Sequence, residues 1–180
     1  KAQLKVQRLI KKAIHQYKQE VTFTPMFPFP EGPREYQKIA FENWKQNKQV
    51  GLFAMATGTG KTITSLNCLL EVYNKTGYYK AIILVPTITL VNQWENECKR
   101  FRFNNIIKVY SKRPKWKSDI ESLHLQERIY GGEDKVSYVV IATYASFAKD
   151  GAFDLLNSLS SRAMLIADEA HNMGSGGISK

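Results

Sequence analysis

Short apolar runs alternate with amphipathic stretches along most of this chain. Residues 50–55 form a run of Val, Gly, Leu, Phe, Ala and Met that reads as a buried strand. A helix is predicted over 61–74, ending near Gly77. A second strand follows over 81–85, a second helix over 87–101 and a third strand over 106–110. The spacing predicts another helix over 116–130, stopped by Gly131 and Gly132, then a strand over 136–142 and a fifth at Met164–Ala167. A helix over 33–47, with Pro33 near its first turn, precedes the first strand. Strands that alternate with helices imply β-α-β crossovers and a mostly parallel central sheet. Strands that are apolar throughout imply helices on both faces. The fold class is therefore α/β.

Upstream lies a different region. Val6, Leu9, Ile10, Ile14 and Tyr17 recur at helical spacing, with Lys5, Arg8, Lys11, Lys12 and Lys18 largely on the other side. That basic face is either solvated or a contact for nucleic acid. Pro25, Pro28 and Pro30 then forbid helix and read as an extended linker. The expected organisation is an N-terminal helix with a proline-rich linker over 1–32, and one α/β domain over 33–180. The chain begins with Lys1 and stops after a Gly/Ser-rich stretch, which predicts a piece of a longer protein.

Composition narrows the function. The 180 residues suit a single α/β domain, and 43% hydrophobic content can fill a core. Lys and Arg number 26 against 16 Asp and Glu, a formal charge of +10 that favours a polyanion or simply a basic surface. Cys68 and Cys98 form no C-x-x-C pair and have no His cluster beside them, so buried free thiols are expected rather than a disulfide or a zinc site. The longest apolar run, 81–85, is far too short to span a bilayer, and no signal peptide is visible. The expected setting is a reducing cytoplasm, with no membrane partner.

Two segments carry chemistry. Ala56-Thr57-Gly58-Thr59-Gly60-Lys61-Thr62 stands between an apolar run and a helical one, the context a phosphate loop requires. Gly58 and Gly60 let the backbone wrap closely, so that amide N–H groups point inward. The following helix adds its positive dipole end. Lys61 brings a full charge to the β and γ phosphates, and Thr62 offers a hydroxyl to magnesium. Met55 stands where the strict pattern has its first Gly, which leaves a glycine-rich helix cap as the other reading. The second segment is Asp168-Glu169-Ala170-His171, after an apolar strand. Two carboxylates there are costly unless they bind something. Asp168 is assigned to magnesium, Glu169 to orienting and activating the attacking water, and His171 to a coupling hydrogen bond. A solvated acidic loop is the alternative.

With both segments in place, the chain resembles the superfamily-two helicases and translocases. Within them it is most similar to the DEAH-lettered branch that includes DNA-repair helicases and restriction-enzyme motor subunits. The resemblance runs from about residue 33 to 174 and implies the first of two RecA-like P-loop lobes, with ATP held between this lobe and a second. Arg34-Glu35-Tyr36-Gln37 resembles the Q motif, where Gln37 would read the adenine edge and Arg34 would help hold the base. In the resemblance, residues Thr57, Gly58, Thr59, Gly60, Lys61 and Thr62 bind ATP, and a residue such as Met55 commonly replaces the first Gly. Val85-Pro86-Thr87 with Leu90, Gln93 and Trp94 is similar to motif Ia, which touches the nucleic-acid backbone through Pro86 and Thr87. Trp94 itself reads as core rather than as a platform for bases. Ile141-Ala142-Thr143-Tyr144 resembles the next nucleic-acid motif, with Thr143 and Tyr144 as contacts.

Eight basic residues and no carboxylate lie between Lys99 and Lys117, and 111–117 reads as a basic loop. Lys112 and Arg113 there face either a phosphate backbone or solvent. The resemblance implies a nucleic-acid-stimulated ATPase using ATP and Mg2+, acting on DNA as a helicase or translocase. A restriction-system motor and an ATP-gated remodeller that separates no strands are the alternatives, and intact Lys61, Thr62, Asp168 and Glu169 argue against a binding module without ATPase. The second lobe and the arginine finger that the resemblance implies are expected in the longer protein, outside these 180 residues. A finger is worth about 10³–10⁵ in rate, so the isolated chain is expected to bind ATP weakly and hydrolyse little.

Overall fold

A computed structural model of the chain describes residues 24–55, 58–129, 136–149, 159 and 162–170. The predicted helix over 3–19, Ala56, Thr57 and His171 lie outside the described residues. In order come α1 (Glu35–Gln46), α2 (Lys61–Thr76), β1 (Lys80–Val85), α3 (Ile88–Arg100), β2 (Ile106–Val109), α4 (Trp116–Ile129), β3 (Tyr138–Thr143), α5 (Tyr144–Phe147) and β4 (Met164–Ala167). The strands form one sheet in the order β2-β3-β1-β4, and every pairing is parallel. All carboxyl ends therefore share one edge, the edge at which open α/β sheets bind ligands.

The sheet has a core on each face, as strand periodicity demands. Ala81, Ile83 and Val85 of β1 pack with Val139 and Ile141 of β3 beneath α2 and α3. Leu84, Val140 and Ala142 face the other way, toward Trp116, Ile120 and Leu123 of α4. β3 lies between β2 and β1 and is buried along its whole length. Burial pushes the thiols of Cys68 and Cys98 up to about 12, so both are inert free cysteines.

Helix boundaries follow local chemistry. Gly77, at φ +78°, closes α2 in the left-handed conformation. Thr87 caps α3 by accepting from the Leu90 amide at 3.2 Å. The proline-rich segment over 24–32 forms neither helix nor strand, turns where Gly32 N–H donates to Phe29 O, and is bound to the lobe. Met26 N–H donates to Phe101 O at 3.0 Å, Phe27 meets Phe101 edge to face, and the Arg100 guanidinium lies over Phe29.

One predicted strand is not there. Residues 50–55 take no place in the sheet and run irregularly beside α1, with Gly51 against Trp44. Leu52 is 81% exposed. The chain turns through positive φ at Lys48 and Gln49, and the amides of Val50 and Met55 bond locally to Asn47 O and Phe53 O. Those local bonds use groups that a ladder would need. Among the described residues β4 accordingly pairs with β1 alone, and Leu165 is 60% exposed. The short α5 is a further addition to the expected elements.

Candidate nucleotide site at the sheet edge

The phosphate loop is shaped by two residues in the left-handed region, Gly58 (φ +80°) and Gly60 (φ +88°). A side chain there would be strained whatever the space. At Gly60 a Cβ would also come 3.4 Å from Gln37 Nε2. Gly60 is the N-cap of α2 and supplies no side-chain acceptor, so the first-turn amides of that helix keep their affinity for an anion. Lys61 is the first helical residue.

α1 holds this loop from behind. The Tyr36 hydroxyl donates to Thr59 O at 2.7 Å. Gln37 is buried, and its Oε1 accepts from the Arg34 amide at 2.9 Å. The predicted Q motif thus lies against the predicted phosphate loop, with Arg34 itself exposed. Thr59 is exposed and Thr62 half-buried.

The acidic pair comes to the same place. Asp168 N–H donates to Leu84 O at 2.9 Å, prolonging the β4–β1 pairing past Ala167. Its Oδ2 accepts from Trp94 Nε1 at 2.8 Å, and its carbonyl accepts from the Tyr144 hydroxyl at 2.7 Å. Burial first, then the nearby carboxylates of Asp168 and Glu169, push the Tyr144 phenol up to about 12, so it stays a donor. Glu169 has φ +53°, a left-handed conformation that is uncommon for a side chain of this kind. Its Oε1 lies 3.7 Å from Lys61 Nζ, with both side chains about one-third exposed (37% and 32%). The two segments singled out in the sequence therefore meet at one edge, presenting an ammonium, two carboxylates and a helix N-terminus to solvent.

The expected nucleic-acid contacts fare unequally. Pro86 and Thr87 sit at the same edge, with Thr87 exposed. Lys112 is exposed and has no ion pair among the described residues, whereas Arg113 is paired with Asp119 at 2.9 Å and also donates to Lys108 O. Carboxylates of α3, Glu95 and Glu97, likewise neutralise Lys99, Arg100 and Lys108. Thr143 ends β3 and Tyr144 begins α5 at that edge. Both side chains are buried; Thr143 caps α5 and donates to Ser146 Oγ at 3.0 Å, while Tyr144 reaches Asp168. Their hydroxyls are taken up by the cap of α5 and by the Asp168 carbonyl.

Trp94 is core, as its sequence context implied, with 3% exposure. Its hold on Asp168 was not foreseen, nor was that of Tyr144. The available signal was chemical: a buried indole N–H must find an acceptor.

Residues 31–179 match the family described as type III restriction enzyme, res subunit. Among curated proteins, the DNA 3'-5' translocase XPB2 of Sulfurisphaera tokodaii is 28% identical over 148 residues, covering 81% of this chain and 26% of the relative. Among solved structures, a nuclease-deletion mutant of the Type ISP restriction-modification enzyme LlaGI, in complex with a DNA substrate mimic, is similar with a TM-score of 0.59 and 27% identity. That likeness covers 77% of this chain and 15% of the other. The chain thus spans about a quarter of the length of its curated relative. Because the match runs without a break from residue 31 to residue 179, most of the chain, and takes in both Lys61 and the Asp168–Glu169 pair, the chain belongs to the family of type III restriction enzyme res subunits.

Proposed function

We propose that this chain is the ATP-binding lobe of an ATP-dependent DNA translocase or helicase. The observation that carries this reading is the approach of Lys61 to Glu169, 3.7 Å apart at the carboxyl edge of a parallel sheet. A cation from a glycine-shaped helix N-terminus and a carboxylate from a strand end are what phosphoryl transfer to water needs in one place. Lys61 and the α2 amides take the triphosphate. Gln37 and Arg34, at the start of α1, are assigned to the base. Thr57 and Thr59 complete the loop, and His171 has the coupling role.

Magnesium fits this donor set. Asp168 Oδ2 is engaged by Trp94, and the second carboxylate oxygen has no protein partner among the described residues. With the Thr62 hydroxyl and phosphate oxygens it makes the open oxygen set that this ion takes. Among the described residues no group of three or more His, Cys, Asp or Glu forms a protein-only cage. When bound, the ion would neutralise charge on the β and γ phosphates. Glu169 then holds the attacking water and accepts its proton. Its exposure by about a third leaves room for that water.

DNA is favoured as the polymer because the curated relative is a DNA translocase and the structural relative was seen with a DNA mimic. Turnover of ATP with magnesium by the intact protein is expected to rise with DNA and not with RNA. Phosphate release measured with single-stranded DNA, duplex DNA and RNA checks this; stimulation by RNA alone would overturn the choice. A second RecA-like lobe is the expected partner across the nucleotide. The family description and the structural relative also favour a second reading, a motor within a restriction system, which a coupled nuclease activity would identify.

Lys112 is an exposed cation of the 111–117 loop with no ion pair among the described residues, which leaves it available for a phosphate. Lys112→Ala is expected to lower the log–log salt slope of DNA binding by about one unit, while Arg113→Ala, already paired with Asp119, changes it little. DNA affinity measured across a salt series reads both, and equal slopes for Lys112→Ala and the parent would remove Lys112 from the interface. No helix among the described residues is long and apolar enough to cross a membrane.

A further inference from the structure

Three bonds fix Asp168, and two of them come from elements that open at the predicted nucleic-acid loops. The first is the sheet bond from its amide to Leu84 O. The second reaches Oδ2 from Trp94, on α3, the helix capped by exposed Thr87. The third reaches the carbonyl from Tyr144, the first residue of α5, which Thr143 caps. We propose that Trp94 and Tyr144 are positioning residues that tie the two nucleic-acid-facing loops to the magnesium carboxylate of Asp168. This rests on the assignment of Asp168 as a magnesium ligand made above.

The geometry gives each bond a separate task. The indole N–H is a charge-assisted donor to one carboxylate oxygen, which fixes the side-chain torsion and leaves the other oxygen for the ion. The phenol fixes the peptide that joins Asp168 to Glu169, and so bears on the strained backbone at Glu169 as well. Trp94 is buried among Val91, Cys98 and the β1 side chains. It lies about two turns into α3, roughly 10 Å from the helix start. A helix this well packed moves as a unit, so a shift at Thr87 reaches the indole rather than dissipating. Tyr144 is one residue from Thr143, so its path is shorter still. Nucleic acid gripped at these loops would thereby adjust the orientation of the metal carboxylate, and metal with nucleotide would adjust the grip by the same factor.

Partners of this kind are worth about 10–100-fold in metal affinity. The test is Mn2+ binding to the intact protein in the presence of ADP, read by electron paramagnetic resonance. Trp94→Phe is expected to weaken Mn2+ about tenfold, with metal-free ADP affinity unchanged. Tyr144→Phe, which removes only a hydroxyl, gives a smaller loss in the same direction. In an Asp168→Ala background, Trp94→Phe adds nothing, whereas damage to the fold would add the same factor again. Duplex DNA shifts the Mn2+ affinity of the parent, and that shift shrinks in both variants. The proposal is overturned if both variants bind Mn2+ as the parent does, or if Trp94→Phe costs as much without Asp168 as with it. A parent that binds no Mn2+ with ADP would remove the assignment of Asp168 itself, and this proposal with it. A binding parent with insensitive variants removes the positioning role alone.

Discussion

Glu169→Gln is expected to keep ATP bound and to stop its turnover. The amide has the volume of the carboxylate and can hold the same left-handed backbone, at φ +53°. What it loses is a negative charge and a proton acceptor. Without the acceptor the attacking water keeps both protons, and general-base assistance of about 10²–10⁴-fold disappears. Without the charge, a carboxylate no longer repels the triphosphate, so affinity stays equal or tightens. Lys61 also loses its partner at 3.7 Å. An ion pair this open to solvent contributes at most about 1 kcal/mol, so the fold is not at risk. ATP binding measured at equilibrium, beside phosphate release at saturating ATP and DNA, separates the two effects. Turnover near the parent rate would take Glu169 out of its role, and a large loss of affinity would make it a binding residue instead.

Much of this was legible in the sequence, for identifiable reasons. β3 is buried throughout, and a run such as Val139-Val140-Ile141-Ala142 has few other places to go. α2 announces both ends, with Gly60 before Lys61 and Gly77 after Thr76. The run 50–55 has the same apolar character as a strand, but apolarity does not specify a partner, and here the chain's amides bond to near neighbours. The basic stretch after α3 has partners that are equally invisible along the chain. Counting charges along the chain cannot see Glu95 between Lys99 and Lys108, or Asp119 beneath Arg113.

The least legible part is the support of Asp168. Trp94 precedes it by 74 residues, and their meeting depends on the β1–β4 register that sets Leu84 beside Ala167. It depends equally on α3 packing against the face that carries Ile83 and Val85. Thr143 and Tyr144 show the same dependence. Their sequence matches a nucleic-acid motif, yet the end of β3 turns both side chains into the core. Through the Tyr144 hydroxyl that segment is bonded to the Asp168 carbonyl. Local pattern identified the loops; only the sheet order decides which atoms of those loops are free.

Lys61→Ala is expected to fail at both steps, and the contrast with Glu169→Gln is diagnostic. The ammonium is one-third exposed and lies 3.7 Å from a single carboxylate, beyond a hydrogen bond. That partner is readily exchanged for a triphosphate of higher charge, so little opposes the swing of Lys61 toward ATP. Removing the ammonium deletes hydrogen bonds to a charged group, each worth about 1.5–3 kcal/mol. A loss of that size is about 10–100-fold in ATP affinity. The same group faces charge that grows as the γ-phosphoryl departs, so turnover at saturating ATP falls by a further factor of about 10²–10³. Arginine should not rescue it, because a planar fork does not occupy the place of a compact ammonium at the mouth of a tight loop. Adding Glu169→Gln to Lys61→Ala should cost little more, since aligning water has no value where the phosphate is not held. Calorimetric ATP titration and single-turnover hydrolysis measure the two losses separately. Parent-like ATP affinity in Lys61→Ala would mean that the loop amides alone grip the nucleotide and that the lysine serves only the chemical step.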